Sequence, residues 1–159
     1  MITLHPMTDA EYQVFLNLSY ESYADDLTLA NPLVSRESAL KEAQSELKEL
    51  LPQGLQTKNH YLFAIRNDQG EQVGYLWYDL LNPSRAFIDD LLIFPAHRRQ
   101  GVAFQALKLM EEQLTATHIR LHVFESNHAA RRLYEKSGYD YLQLERSQPG
   151  SLYMFKRIR

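Results

Sequence analysis

The spacing of apolar residues changes period several times along this chain, and those changes constrain the fold more than any single motif. Residues three and four apart share a face of a helix, whereas alternate residues share a face of a strand. Tyr12, Phe15, Leu16, Tyr20 and Tyr23 recur at helical spacing. Thr8 and Glu11 have the spacing of a capping box, which predicts a helix from Asp9 to about Asp25 or Leu27. A second helix is expected after Ser35, with Ala39, Ala43, Leu47, Leu50 and Leu51 as its apolar stripe and with Pro52 and Gly54 as its stop. The period then drops to two. Tyr61 to Ile65 and Gln72 to Leu80 read as strands joined by a turn at Asn67 to Gly70, and Ala86 to Phe94 reads as a third long strand. Helical spacing returns from Gly101 to Leu114, followed by a strand at Ile119 to Phe124 and a short helix at Ala129 to Lys136. Strands at Tyr139 to Leu144 and Leu152 to Ile158 close the chain, and Ile2 to Leu4, ended by Pro6, opens it. The order is β α α β β β α β α β β. Long antiparallel stretches with two late helical crossovers imply a mixed sheet covered by helices.

A chain of 159 residues suits one domain, 1–159, with one core. Its net charge of −3 does not suit bulk attraction to a polyanion, so nucleic acid is not an expected partner. There is no cysteine, which excludes disulfides, thiolate-held metals and a cysteine nucleophile. Met1 to Pro6 has no basic region followed by an apolar run, so no signal peptide is expected. No apolar stretch approaches the roughly 18 residues that a membrane span needs. The expectation is a cytoplasmic protein without a membrane partner.

The informative segment runs Asp89-Asp90-Leu91-Leu92-Ile93-Phe94-Pro95-Ala96-His97-Arg98-Arg99-Gln100-Gly101-Val102-Ala103. A strand enters a basic loop, meets a glycine and becomes a helix. The first amides of a helix lack intrahelical partners, and the helix dipole favours an anion beside them. Gly101 has no Cβ, so a ligand can come close to its backbone, and Ala103 is small in the same way. Arg98 and Arg99 add positive charge. These properties suit a pyrophosphate; the same residues are also compatible with an ordinary strand-loop-helix corner carrying solvated arginines.

Arg98-x-x-Gly101-x-Ala103, following Leu91-x-Ile93-x-Pro95, resembles the pyrophosphate-binding motif of the GNAT (GCN-five-related) N-acetyltransferase superfamily. Asn127-x-x-Ala130-x-x-Leu133-Tyr134-x-x-x-Gly138-Tyr139 resembles the second signature of that family, in the same order and at its usual distance. Leu121 to Phe124, with Leu51 to Tyr61, further resembles a bacterial branch, the YycN-like proteins. The resemblance implies an α/β (α+β) GNAT fold, a mixed and mostly antiparallel central sheet of about seven strands flanked by about four helices. It also implies a splayed V between the fourth and fifth strands. Acetyl-CoA would then lie in the V, its pantetheine arm along Leu91, Leu92 and Ile93. Its pyrophosphate would lie on the amides of Arg99, Gln100, Gly101, Val102, Ala103 and Phe104, with Arg98 beside it. Asn127 and Ala130 would adjoin the cofactor, and Asn127 could equally cap its helix.

The implied reaction passes an acetyl group from acetyl-CoA to a primary amine on a small molecule, a peptide N-terminus or a lysine. An alkyl ammonium, with a pKa of about 10.4, must lose a proton before it attacks, and the departing thiolate needs one. Tyr134 matches the family tyrosine that faces the cofactor sulfur and is the expected acid, although it also fits the apolar face of its helix. Asp89 is the expected base, at a position where some polyamine-directed relatives carry a glutamate. Neighbouring strand residues point to opposite faces, so only one of Asp89 and Asp90 is expected to face the cleft. Direct attack in a ternary complex follows, since no cysteine can carry the acyl group. Tyr20 and Tyr23, with Asp90, are the expected substrate-binding groups, and Asp25 and Asp26 would suit a cationic amine. His118 and His122 do not share a helix face, so no metal is expected. A non-catalytic acyl-CoA sensor would use the same cradle without turnover. A homodimer is an expectation from fold analogy alone.

Overall fold

The computed structural model describes residues 1–143 and 149–159. Its elements follow the expected order: β1 Thr3–Pro6, α1 Asp9–Ala30, α2 Arg36–Leu50, β2 His60–Arg66, β3 Gln72–Asn82, β4 Arg85–Ile93, α3 Val102–Gln113, β5 His118–Phe124, α4 His128–Lys136, β6 Asp140–Leu142 and β7 Ser151–Arg157. The expected last residue of β6, Leu144, lies outside the described residues. Among the described residues, no helix is long and apolar enough to cross a membrane. The chain divides into two compact units, Met7–His60 and Met1–Pro6 with Tyr61–Arg159.

The first unit holds α1 and α2. Thr8 Oγ1 accepts from the Glu11 amide and Glu11 returns a bond to the Thr8 amide, so the capping box forms as read. α1 runs past the expected end because nothing breaks it before Asn31-Pro32, and the Thr28 hydroxyl turns inward onto the Ala24 carbonyl. Ser35 caps α2 by accepting from the Ser38 amide. Ala39, Ala43 and Leu47 are buried as the stripe requires. Leu50 is not; it is exposed, and Leu51, just past the helix, is buried in its place. The chain leaves the helical screw there, so helical spacing no longer tells which side chain turns inward.

In the second unit the strands lie in the order β1-β2-β3-β4-β5-β7-β6. The pairs β1–β2, β3–β4, β5–β7 and β6–β7 are antiparallel, and β4–β5 is parallel. Pro6 is the last residue of β1 rather than a stop before it, and it is tolerated because β1 is the edge strand. Leu107 and Met110 of α3 and Tyr134 of α4 share one buried cluster with Ile88, Ile119 and Leu121 of the sheet. A second cluster joins Val102 and Ala106 to Ile2, Ile65 and Val73. The start of α3 is thereby pinned against the sheet, which fixes where its free amides stand.

Candidate active site

The parallel pair β4–β5 is short. Arg85 to Ile88 pair with His118 to Leu121, and the ladder then ends. Among the described residues, β4 beyond that point pairs only with β3, through Asp90–Trp77, Leu91–Leu76, Leu92–Tyr75 and Ile93–Gly74, while β5 continues against β7. The two strands therefore part, which is the splay expected from the family resemblance. The Phe94 amide donates to the Val73 carbonyl at 2.8 Å. Antiparallel ladders alternate, so Leu92 turns its peptide groups to β3 while Leu91 and Ile93 turn theirs into the gap. Of the three residues expected along the pantetheine arm, Leu91 offers its carbonyl and Ile93 its N–H, since the Leu91 amide bonds the Asp90 carboxylate. The Ile93 carbonyl is already taken by Arg98 Nε at 2.8 Å.

Below the gap, a 3-10 turn at Pro95–His97 leads to Arg98, Arg99, Gln100 and Gly101. Arg99 and Gly101 both adopt left-handed backbone, φ 63° and 75°. A Cβ on Gly101 would meet nothing nearer than Gln105 Nε2 at 4.0 Å, so glycine is needed here for its φ rather than to avoid a protein neighbour. The Arg98 amide bonds the Pro95 carbonyl and the Gln105 amide bonds the Gly101 carbonyl. Between them the amides of Arg99, Gln100, Gly101, Val102, Ala103 and Phe104 have no protein acceptor among the described residues. These are the groups expected to cradle a diphosphate, and the fold leaves them bare. Arg98 is committed to the end of β4, so it shapes the loop as well as charging it.

The register between β3 and β4 slips between Trp77–Asp90 and Tyr78–Ile88, which leaves Asp89 as an extra residue, a β-bulge. Strict alternation fails at a bulge. Asp89 approaches Asp79, with carboxylate oxygens within 4.8 Å, and Asp90 accepts from the Tyr75 hydroxyl at 3.0 Å. Tyr75 and Asp79 lie four apart on β3 and share a face, so both carboxylates stand on one side of the sheet. The expectation that only one could do so is corrected by the bulge. Burial, then the hydrogen bond and charge of Asp79, push the Asp89 carboxyl up to about 9. Burial pushes Asp90 up to about 6, with hydrogen bonds from Tyr75 and the Leu91 amide opposing the rise. Tyr134 is buried in the core cluster, its ring 5.6 Å from that of Tyr139 in edge contact. Its hydroxyl has no protein hydrogen-bond partner among the described residues. Burial, then the charge of Asp90, raise the Tyr134 pKa, so the phenol holds its proton.

Asn127 caps α4, its Oδ1 accepting from the Ala130 amide at 3.2 Å. Ala130 packs on the core cluster. Arg131 donates to the Glu125 carbonyl and to the Tyr141 hydroxyl, which ties α4 to its neighbours. Tyr20 and Tyr23 lie half-buried on α1, in the other unit. Burial and then Glu46 and Glu42 raise the pKa of Tyr23. Asp25 shares the Arg36 guanidinium with Glu21, so that carboxylate is already engaged within its own unit. Two neighbours of the site escaped the sequence reading: Tyr75 and Asp79. Asp79 did leave a signal, as the one charged residue in the apolar run Val73 to Leu81.

A mixed sheet that opens along its parallel pair, above a row of bare amides, defines a class of acyl-group transferases. The chain belongs to the acetyltransferase (GNAT) family, whose sequence profile matches residues 20–139. YdgE of Bacillus subtilis (strain 168), an uncharacterized N-acetyltransferase, is 35% identical over 143 residues, 86% of this chain and 90% of that one. The crystal structure of YycN from Bacillus subtilis superposes with a TM-score of 0.79 at 29% identity, covering 93% of this chain and 98% of that chain. A spermidine N-acetyltransferase from Vibrio cholerae, in complex with CoA and spermine, shares the fold with a TM-score of 0.70 at 20% identity, covering 98% and 95%.

Proposed function

We propose that this chain is an N-acetyltransferase that moves the acetyl group of acetyl-CoA to a primary amine by direct attack in a ternary complex. The observation that carries this reading is the run of six bare amides, Arg99 to Phe104, at the foot of an unpaired β4 edge. Acetyl-CoA supplies an activated thioester; the chain supplies the rest. The amides and Arg99 hold the diphosphate, and Leu91 and Ile93 offer backbone to the arm that follows it. The Ile93 N–H faces the gap and is placed to polarise a carbonyl there.

Tyr134 acts as the acid. A phenol that is buried, protonated and without a protein partner can give its proton to a departing thiolate. The base role, expected of Asp89, passes in this reading to Asp90. Near neutral pH a carboxyl held near 9 keeps its proton, whereas one held near 6 is ionised and can accept one. Asp90 would then serve both to attract the amine and to receive its proton. The family profile runs through both compact units, which supports reading residues 1–159 as one domain. Thiol release from acetyl-CoA over a panel of amines tests the proposal. Release with at least one amine is the expected result. Tight binding of acetyl-CoA with no release from any amine would make the chain a sensor instead.

A further inference from the structure

Phe104, the last residue of the bare-amide run, carries a cation on each of two helices against its ring. Lys108 Nζ, one turn along α3, lies 5.5 Å from the ring centroid, and Lys136 Nζ, at the end of α4, lies 5.4 Å from it. Both lysines are exposed and Phe104 is half-buried. Neither ammonium has a carboxylate partner among the described residues. The neighbouring carboxylates are engaged or turned away. Glu111 is bound by Lys156, Glu135 by the Tyr141 hydroxyl, and Glu112 lines a pocket beside Ile2 to Leu4. Two ammonium groups beside one ring, without a counter-ion, make this corner locally positive and attractive to an anion.

A diphosphate on the cradle has two ends. One would continue into the gap beside Leu91 and Ile93. The other would leave across the first turns of α3, where Phe104 and the two lysines stand. Resting on the acetyl-CoA reading above, we infer that Lys108, Phe104 and Lys136 form a subsite for the nucleotide end of the donor. The two lysines there bind its phosphomonoester, a group that carries about −1.5 to −2 charge near neutral pH. The chain would therefore distinguish CoA from its 3′-dephospho form.

The test is calorimetric titration of the full chain with acetyl-CoA and with 3′-dephospho-acetyl-CoA, repeated on the double variant Lys108→Gln/Lys136→Gln. Two solvent-facing ion pairs should give the wild type a preference for acetyl-CoA of about tenfold at low salt, shrinking as salt is added. The double variant should bind both donors as the wild type binds the dephospho form. Equal binding of the two donors by the wild type overturns the subsite and leaves the acetyltransferase reading standing. So does a double variant that weakens both donors by the same factor. Binding of neither donor removes both.

Discussion

At the scale of single residues, the proposed chemistry rests on Tyr134 and Asp90. Tyr134→Phe removes one oxygen from a ring that stays packed against Tyr139, so the core should survive. Its kcat should fall by roughly a hundred- to ten-thousandfold, the scale of lost general-acid help, with donor affinity little changed. Steady-state kinetics beside a donor titration would check this, and unchanged turnover would remove Tyr134 from the mechanism. Asp90 must be ionised to accept a proton. Its pKa is raised to about 6, so kcat/KM should fall as pH drops through about 6. Asp90→Asn should abolish that acid limb and lower activity at pH 7, whereas Asp89→Asn should leave the limb in place. A limb that moves with Asp89 instead would restore the base role to that residue.

At the scale of elements, the loop into α3 depends on left-handed backbone at Gly101. Valine there should destabilise the chain by about 1–2 kcal/mol from φ alone. Gly70, at the β2–β3 turn, has the same φ of 75° and nothing near its missing Cβ, so Gly70→Val is a matched control. The two variants should lose similar melting temperature, and only Gly101→Val should lose binding of acetyl-CoA. Retained binding would contradict the cradle. The start of α4 is held by Asn127, whose loss to alanine should cost about 1 kcal/mol of stability, read from denaturant midpoints. A larger loss of donor affinity than of stability would show that Asn127 serves the ligand as well as the helix.

At the scale of the whole molecule, a ligand that binds only the folded chain stabilises it by mass action. Acetyl-CoA at a hundred times its dissociation constant should therefore add about 2.7 kcal/mol and raise the melting temperature by several degrees. No shift at millimolar donor would remove the cradle from the account. The cradle and the open β4 edge lie within one compact unit.

Periodicity was enough to read the order of elements, because helix and strand impose different spacings on buried side chains. The capping residues Thr8 and Ser35 were legible for the same reason: each satisfies a local backbone need that a few neighbouring residues define. Gly101 was legible as a residue without a Cβ, whereas its left-handed φ came from the structure. The bulge at Asp89 was not legible. It arises from how β4 registers against β3, and two adjacent aspartates look the same in sequence whether they alternate or not. The pairing of Asp89 with Asp79 and of Asp90 with Tyr75 joins residues 10 and 15 positions apart, and only the folded sheet brings them together. So the sequence by itself determined the succession of elements and the loop that offers its amides. Which carboxylate is free to ionise was decided by tertiary structure, because burial and the distance to a second charge set a pKa and neither is a local property of the chain.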